Sequence, residues 1–267
     1  MPSIPDRILD DWLQEDAAFG LDLTTRTLAL RSTPARITFS ARHPLAVCGT
    51  EEAARLLQKL GASPATADPH APPLASGISA RPGDVILSAT GPVEALHLGW
   101  KVCANLLEHA SGIATRTRQL VDAARAASPP GRPVSIAATR KSFPGTKAVA
   151  LKAVLAGGGI PHRLGLSETV LVFAQHRAFF PSDADFAGRI RTLKAAGCEK
   201  KFIVEADTAA EAFLWSDAGA DGVQFDKLPP AELAPARPPC APAIRICSCS
   251  PPAAFTPPTP PPTPPPA

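Results

Sequence analysis

From Ile113 onward, strand-like apolar runs alternate with helical segments at nearly even spacing, and few architectures accept that order. A helical segment covers residues 114–127, and strand-like runs start at Val134, Thr169, Lys201 and Gly222. Helical stretches over residues 147–156, 183–196 and 208–218 separate those runs. In the second of these, Phe186, Ile190 and Leu193 recur at helical spacing and Gly197 stops the run. Strands separated by helices of this length pair in parallel. A β/α barrel satisfies the pattern, and an open doubly wound sheet gives similar periodicity. In a barrel the residues just past each strand face one mouth, where active sites sit. Here they are Arg140 and Lys141, Gln175 and His176, Glu205 and Asp207, and Asp226 and Lys227. No Gly-x-Gly-x-x-Gly follows a strand, so nothing points to a dinucleotide fold.

The chain before Ile113 reads differently. Residues 4–18 have the pattern of an amphipathic helix with Ile8, Leu9, Trp12 and Leu13 on one face. Asp22-Leu23-Thr24-Thr25 follows, and Asp22 is read as a helix cap in preference to a metal ligand. Residues 35–40 alternate as a strand should, residues 45–49 form a second apolar run, and residues 51–60 have helical spacing up to Gly61. Arg81-Pro82-Gly83-Asp84 is a turn before a strand that begins at Val85. A long helical pattern from Val93 to Ala110, carrying Lys101 and Asn105, stops at Ser111-Gly112. These elements predict an α+β domain over residues 1–112 and a β/α domain over residues 113–230.

Charge concentrates around one αβ unit. Thr139-Arg140-Lys141 follows the run that starts at Val134, Pro144-Gly145 opens the next helix, and Gly157-Gly158-Gly159 closes it. Ile160-Pro161-His162-Arg163 comes next, ahead of the following strand. An arginine presents a planar fork to carboxylate or phosphate, and a lysine presents a point charge. Placed at the two ends of one unit, they suit a small anionic ligand, whereas any one of them alone reads as a solvated surface residue. The triple glycine is read as a helix stop rather than as a phosphate cradle. Glu205 and Asp226 at later strand ends suit a divalent ion bridging a phosphorylated substrate, with helix capping as the alternative.

Thr139-Arg140-Lys141, Pro144-Gly145, Gly157-Gly158-Gly159 and His162-Arg163-Leu164-Gly165-Leu166 resemble the quinolinate phosphoribosyltransferase (nicotinate-nucleotide pyrophosphorylase) family. The runs Phe143-Pro144-Gly145-Thr146-Lys147, Leu166-Ser167-Glu168-Thr169 and Phe173-Ala174-Gln175-His176-Arg177 resemble a branch linked to molybdenum transport. The resemblance implies a glycosyltransferase of NAD biosynthesis type. It would move phosphoribose from phosphoribosyl pyrophosphate to an acidic N-heterocycle with release of pyrophosphate. It implies that Lys101, Arg140, His162 and Arg163 hold the acceptor's carboxylates. Lys141, Glu205 and Asp226 are then catalytic, on the phosphoribosyl side, with Glu205 and Asp226 on Mg²⁺. It also implies a homodimer with shared active sites, since the Lys101 position reaches the neighbouring subunit's site. That position is an arginine in the family, and lysine lacks its bidentate fork. Phe173 stands where the quinolinate enzymes carry lysine, so the acceptor is expected to be related to quinolinate rather than quinolinate itself. The alternative is a non-catalytic anion-binding protein serving molybdate uptake.

Composition excludes other classes. A net charge of +3 over 267 residues is too small to indicate nucleic acid. No apolar run of about 18 residues predicts a membrane-spanning helix, and the N-terminus lacks the pattern of a secretion signal. The six cysteines show neither a disulfide framework nor zinc spacing, which suits reduced thiols in a cytoplasm. Half of the 32 prolines lie from Pro229 onward. The stretch over residues 231–267 is therefore expected to be a disordered Pro-rich tail. It stands where the family has its closing strands and a Gly-Gly-Ile loop. The expectation is thus an α/β chain: an N-terminal α+β sandwich-like domain followed by an incomplete β/α barrel. The strand at Gly222 would be left as an open edge.

Overall fold

A computed structural model of the chain describes residues 2–17, 20–65, 72–131, 134–226, 228–233 and 246–247. It divides into two compact units, Met1–Leu164 and Gly165–Ala267.

The first unit begins with helices α1 (Asp6–Asp16) and α2 (Leu23–Thr27), then strands β1 (Pro34–Ser40) and β2 (Leu45–Ala46). Helix α3 (Thr50–Lys59) and strands β3 (Ser63–Ala65), β4 (Ser79–Ala80) and β5 (Val85–Pro92) follow. The long helix α4 (Val93–Ala127) then leads to β6 (Ala137–Ala138), α5 (Lys147–Ala156) and β7 (Ile160–Pro161). Strands β1, β5 and β3 form an antiparallel sheet with β5 in the middle. Its core joins Leu87 and Ala89 of the sheet to Leu56 and Leu57 of α3 and Leu96, Cys103 and Leu106 of α4. Helix α1 buries Leu9 against this core, with Ile8, Trp12 and Leu13 packed beside it, as its apolar stripe requires. Asp22 caps α2: its carboxylate accepts from the Thr24 and Thr25 amides and from Thr25 Oγ1. Those bonds, the one from the Thr25 hydroxyl first, hold its pKa below the usual carboxylate range. The capping reading of Asp22 is therefore the one the structure realises.

The second unit contains β8 (Val170–Val172), α6 (Ala174–Arg177), α7 (Asp183–Ala195), β9 (Phe202–Ala206), α8 (Ala209–Asp217) and β10 (Gly222–Phe225), then α9 (Pro230–Leu233) and β11 (Ile246–Cys247). Its sheet is parallel throughout, in the order β11-β10-β9-β8. Strands buried on both faces read as continuous apolar runs, and Phe202, Ile203 and Val204 are all buried. Trp215 of α8 is fully buried, edge-on to Phe186 of α7, with the Arg177 guanidinium over its ring. Asp221 joins the start of two strands to α7: it accepts from the Phe202 amide at 2.7 Å and from Lys194 at 2.8 Å.

Four expectations are corrected. The long helix does not stop at Ser111-Gly112; α4 continues to Ala127. Its buried face carries on through Ala110, Ser111 and Ala114, and the Ser111 hydroxyl accepts from the Cys48 amide, so packing overrides glycine's low helix propensity. His162 follows directly on a short strand, β7, that the sequence reading left out. Strand β10 is not an open edge, because Gln224 and Phe225 pair with Ile246 and Cys247. At the head of the proline-rich stretch residues 231–233 are helical, in α9, where the composition predicts disorder; residues 234–245 and 248–267 lie outside the described residues, as does Lys227. No helix among the described residues is long and apolar enough to cross a membrane.

A buried ion pair ties the first unit together. Lys152 of α5 is 4% exposed, and its ammonium donates to Glu52 Oε2 at 2.6 Å and Glu51 Oε2 at 2.9 Å, both on α3. Glu52 is 1% exposed. Burial pushes the Lys152 pKa down, but the hydrogen bonds to both carboxylates outweigh it and raise it. Burial pushes Glu51 up, and the bonds from the Ser76 hydroxyl and amide and from Lys152 overcome this and hold it at about 2. Burial raises the Cys48 thiol to about 11 against the Ser76 hydrogen bond and the Lys152 charge, and burial alone raises Cys103 to about 12, which keeps both protonated and unreactive at neutral pH.

Removing one partner of a buried pair strands the other charge, so Lys152→Met should cost about 3–5 kcal/mol in urea unfolding. A loss below about 1 kcal/mol would place the pair among weak surface bridges. The depressed Glu51 pKa stabilises the fold above its ordinary value of 4.5, and that contribution is lost as pH falls toward 2. Stability measured over that range should fall less steeply in Glu51→Gln than in the wild type.

Candidate active site

Strands β6 and β7 lie side by side and parallel, with Ala137 opposite Ile160 and Ala138 opposite Pro161. The His162 amide donates to the Ala138 carbonyl at 2.9 Å. Each strand therefore delivers its polar side chains at the same end: Arg140 and Lys141 after β6, His162 and Arg163 after β7. Arg140 and Lys141 are exposed, and His162 and Arg163 are half-buried. Between them Phe143 and Thr146 close a turn, with the Thr146 amide and hydroxyl both donating to the Phe143 carbonyl. Thr146 holds the N-cap position of α5 without a side-chain capping bond. Lys147 donates to the Leu164 carbonyl, which anchors the chain just past Arg163. The structure thus brings together four of the residues singled out in the sequence. Lys101 stands on α4, exposed, outside this strand-end group.

In the second unit Glu205 and Asp226 occupy the corresponding ends of neighbouring parallel strands. Glu205 pairs with Gln224 in the register, and Asp226 is the residue after β10. Both are half-buried. The Gln224 amide donates to Glu205 Oε2 at 3.3 Å. Past β8, Gln175 and His176 lie in the single turn of α6. The His176 ring stacks on Phe173 at 5.7 Å, and its Nδ1 accepts from the Phe173 amide. Asp207, past β9, donates its amide to Glu211 Oε2 at 2.8 Å.

The triple glycine is a close-packing device. A Cβ on Gly157 would lie 2.5 Å from the Ala114 carbonyl oxygen and 2.5 Å from Thr117 Cβ, and one on Gly159 would lie 2.8 Å from Thr117 Cγ2. The turn is pressed onto α4, and Gly158, at φ +87°, closes it with its amide on the Leu155 carbonyl. Arg118 of α4 reaches over the same turn. Its Nε donates to the Gly157 carbonyl at 3.0 Å, and its Nη2 donates to Ala156 at 3.0 Å and Gly77 at 3.3 Å.

Lys152, Arg118 and Gln224 escaped the sequence reading. Lys152 is the one charge inside the apolar helix run Ala148 to Ala156, and Gln224 is the one polar residue in Gly-Val-Gln-Phe. Each is thus marked as a buried polar group in need of a partner. Arg118 has no such mark in the sequence.

An 820 Å³ groove opens between β1, β2 and α4, lined in part by Phe39, Arg42, Leu45, Trp100, Leu107 and Arg116. None of the strand-end cations reaches it.

Comparison with known proteins identifies the family. Residues 22–111 match the quinolinate phosphoribosyl transferase N-terminal domain, and residues 113–239 match its C-terminal domain. The "Putative pyrophosphorylase ModD" of Rhodobacter capsulatus is 45% identical over 231 residues, 86% of this chain and 85% of that protein. The chain belongs to the quinolinate phosphoribosyltransferase family. The "Nicotinate-nucleotide pyrophosphorylase [carboxylating]" of Mycobacterium leprae is 32% identical over 73% of this chain and 66% of its own length. The solved structure of NadC from Streptococcus pyogenes superposes with a TM-score of 0.75 at 24% identity, over 88% of this chain and 81% of that one. It shares the fold. The two family domains meet near residue 112, inside α4, whereas the compact units part after Leu164. The difference arises because α5 and the glycine turn pack on the second half of α4 and travel with the first unit.

If the glycine turn serves packing, Gly157→Ala should destabilise the protein by about 1–3 kcal/mol through overpacking. Gly112→Ala, where a Cβ meets open space on the same helix, should stabilise it by about 0.5–1 kcal/mol. Urea unfolding of the two variants checks both signs. Equal stability of Gly157→Ala and wild type would contradict the packing role.

Proposed function

We propose that this chain transfers phosphoribose from phosphoribosyl pyrophosphate to the ring nitrogen of an acidic heterocycle. The observation that carries the reading is the pairing of β6 and β7, which sets Arg140-Lys141 and His162-Arg163 at one strand end. In the reaction the ring nitrogen's lone pair forms the bond to C1 of the ribose. The C1–O bond to pyrophosphate breaks, and pyrophosphate leaves with that electron pair. The transition state has oxocarbenium character beside a departing polyanion. Positioning and charge stabilisation suffice for such a step, and no protein nucleophile is needed.

Arg140, His162, Arg163 and Lys101 hold the acceptor's carboxylates, and Lys141 serves the phosphoribosyl side. Glu205 and Asp226 are suited to Mg²⁺, which takes one or two carboxylates and completes its shell with substrate phosphates. The residues fit that description: two half-buried acids end adjacent strands, and Glu205 is steadied by Gln224. When bound, the ion would neutralise charge on the pyrophosphate. Phe173, stacked on His176, offers an aromatic face past β8, which supports an acceptor related to quinolinate. The protein acts as a homodimer with shared sites. In support, Trp100 beside Lys101 is 54% exposed along the groove on α4, a surface that a second copy would cover. A role beside molybdenum transport is supported by the kinship with the ModD protein of Rhodobacter capsulatus.

Isothermal titration tests these roles. Arg140→Ala and Arg163→Ala should each weaken binding of an acidic acceptor by about 1.5–3 kcal/mol with unchanged melting. Unchanged affinity in both would return these residues to the solvated surface. Glu205→Gln and Asp226→Asn should lower affinity for phosphoribosyl pyrophosphate in Mg²⁺ while sparing acceptor binding without metal. Normal binding in both would remove the metal role. Mixing Lys101→Ala with Arg140→Ala subunits should restore activity that neither variant has alone, and a monomer in light scattering would end the shared-site reading.

A further inference from the structure

Arg118 makes no ion pair among the described residues. Half-buried, it spends its guanidinium on three backbone carbonyls: Gly157, Ala156 and Gly77. Two of these are consecutive acceptors at the C-terminus of α5, where helix carbonyls lack partners within the helix and the dipole attracts a cation. Nε and Nη2 reach them at the same 3.0 Å, a fork that a lysine does not reproduce. The turn held in this way is also seated on Ala114, one helical turn before Arg118 on α4, and on Thr117, the residue next to Arg118, through the missing Cβ atoms of Gly157 and Gly159. Beyond Gly159 the chain has only the two residues of β7 before His162. A slip of the turn therefore passes straight to His162 and Arg163, with Pro161 stiffening the path.

We infer that Arg118 is a positioning residue: by locking the α5–β7 turn onto α4 it sets the place of His162 and Arg163 for an anionic acceptor. The inference rests on the proposed reading of those two residues as carboxylate holders. Arg118 itself touches no reacting atom. Its effect should therefore fall on acceptor binding and leave the phosphoribosyl pyrophosphate side alone.

The test uses the full chain with ¹⁵N-labelled histidine, the His162 ring signals being assigned with His162→Gln. Phthalate serves as an aromatic dicarboxylate probe. In Arg118→Met the His162 signals of the free protein should shift, and phthalate affinity should fall by about tenfold or more. Affinity for phosphoribosyl pyrophosphate with Mg²⁺ should stay at the wild-type value. Arg118→Lys, which keeps the charge and loses the fork, should fall between. Gly159→Ala disturbs the same turn from the Thr117 side and should reproduce the Arg118→Met pattern. If Arg118→Met does not fold, Arg118→Lys carries the test, and displaced His162 signals with partial loss of phthalate binding are expected. A lowered melting temperature with wild-type His162 signals and wild-type phthalate affinity, in whichever variants fold, would overturn the inference and leave Arg118 a stabiliser only. Failure of wild-type protein to bind phthalate would count against the acceptor site itself, while the His162 shift would still decide whether Arg118 sets that residue's place.

Discussion

The buried ammonium of Lys152 is the interaction on which the first unit depends. Withdrawing a lysine from water is costly, and the cost is offset only when its donors find full partners. Glu51 and Glu52 supply them from α3, and Ser76 in turn binds Glu51. Helix α5 is thereby fixed to a helix nearly a hundred residues earlier in the chain. The consequence is local order at both of its ends. The Phe143–Thr146 turn at its start and the glycine turn at its end adjoin the residues that follow β6 and β7, so one ion pair in the core sets the frame for Arg140, Lys141, His162 and Arg163.

Helix α4 completes that frame. Its first half packs on the antiparallel sheet, and its second half receives the glycine turn and Arg118's bonds to it. Over a rise of about 1.5 Å per residue, Lys101 and Arg118 stand some 25 Å apart on one rod. This is also why the domain boundary of the family, near residue 112, is not a break in the backbone. A helix that serves two layers cannot end where the layers change.

Much of this was legible in the sequence. The alternation after Ile113 predicts parallel strands, and β8, β9 and β10 appear where the runs at Thr169, Lys201 and Gly222 place them. Asp22 shows its capping role through the Thr24 and Thr25 that follow it. Ser111-Gly112 has the sequence mark of a helix break but is not one, because burial of Ser111 and Ala114 outweighs the propensity of one exposed glycine. β7 leaves no periodicity to read, being two residues, one of them proline. β10 has the sequence mark of an edge because its partner strand, Ile246–Cys247, sits inside a proline-rich stretch. Of the site, the cations announced themselves by clustering in one αβ unit. The groups that hold them, Lys152 and Arg118, act across long sequence separations that no local pattern records.

If these strand-end charges serve a group transfer, pyrophosphate release reports it. Wild-type chain should release pyrophosphate from phosphoribosyl pyrophosphate only when Mg²⁺ and a heterocyclic acid are both present, with one acid in a panel clearly preferred. Saturable binding of both ligands without pyrophosphate release from any acid would contradict that role and point instead to an anion-binding protein.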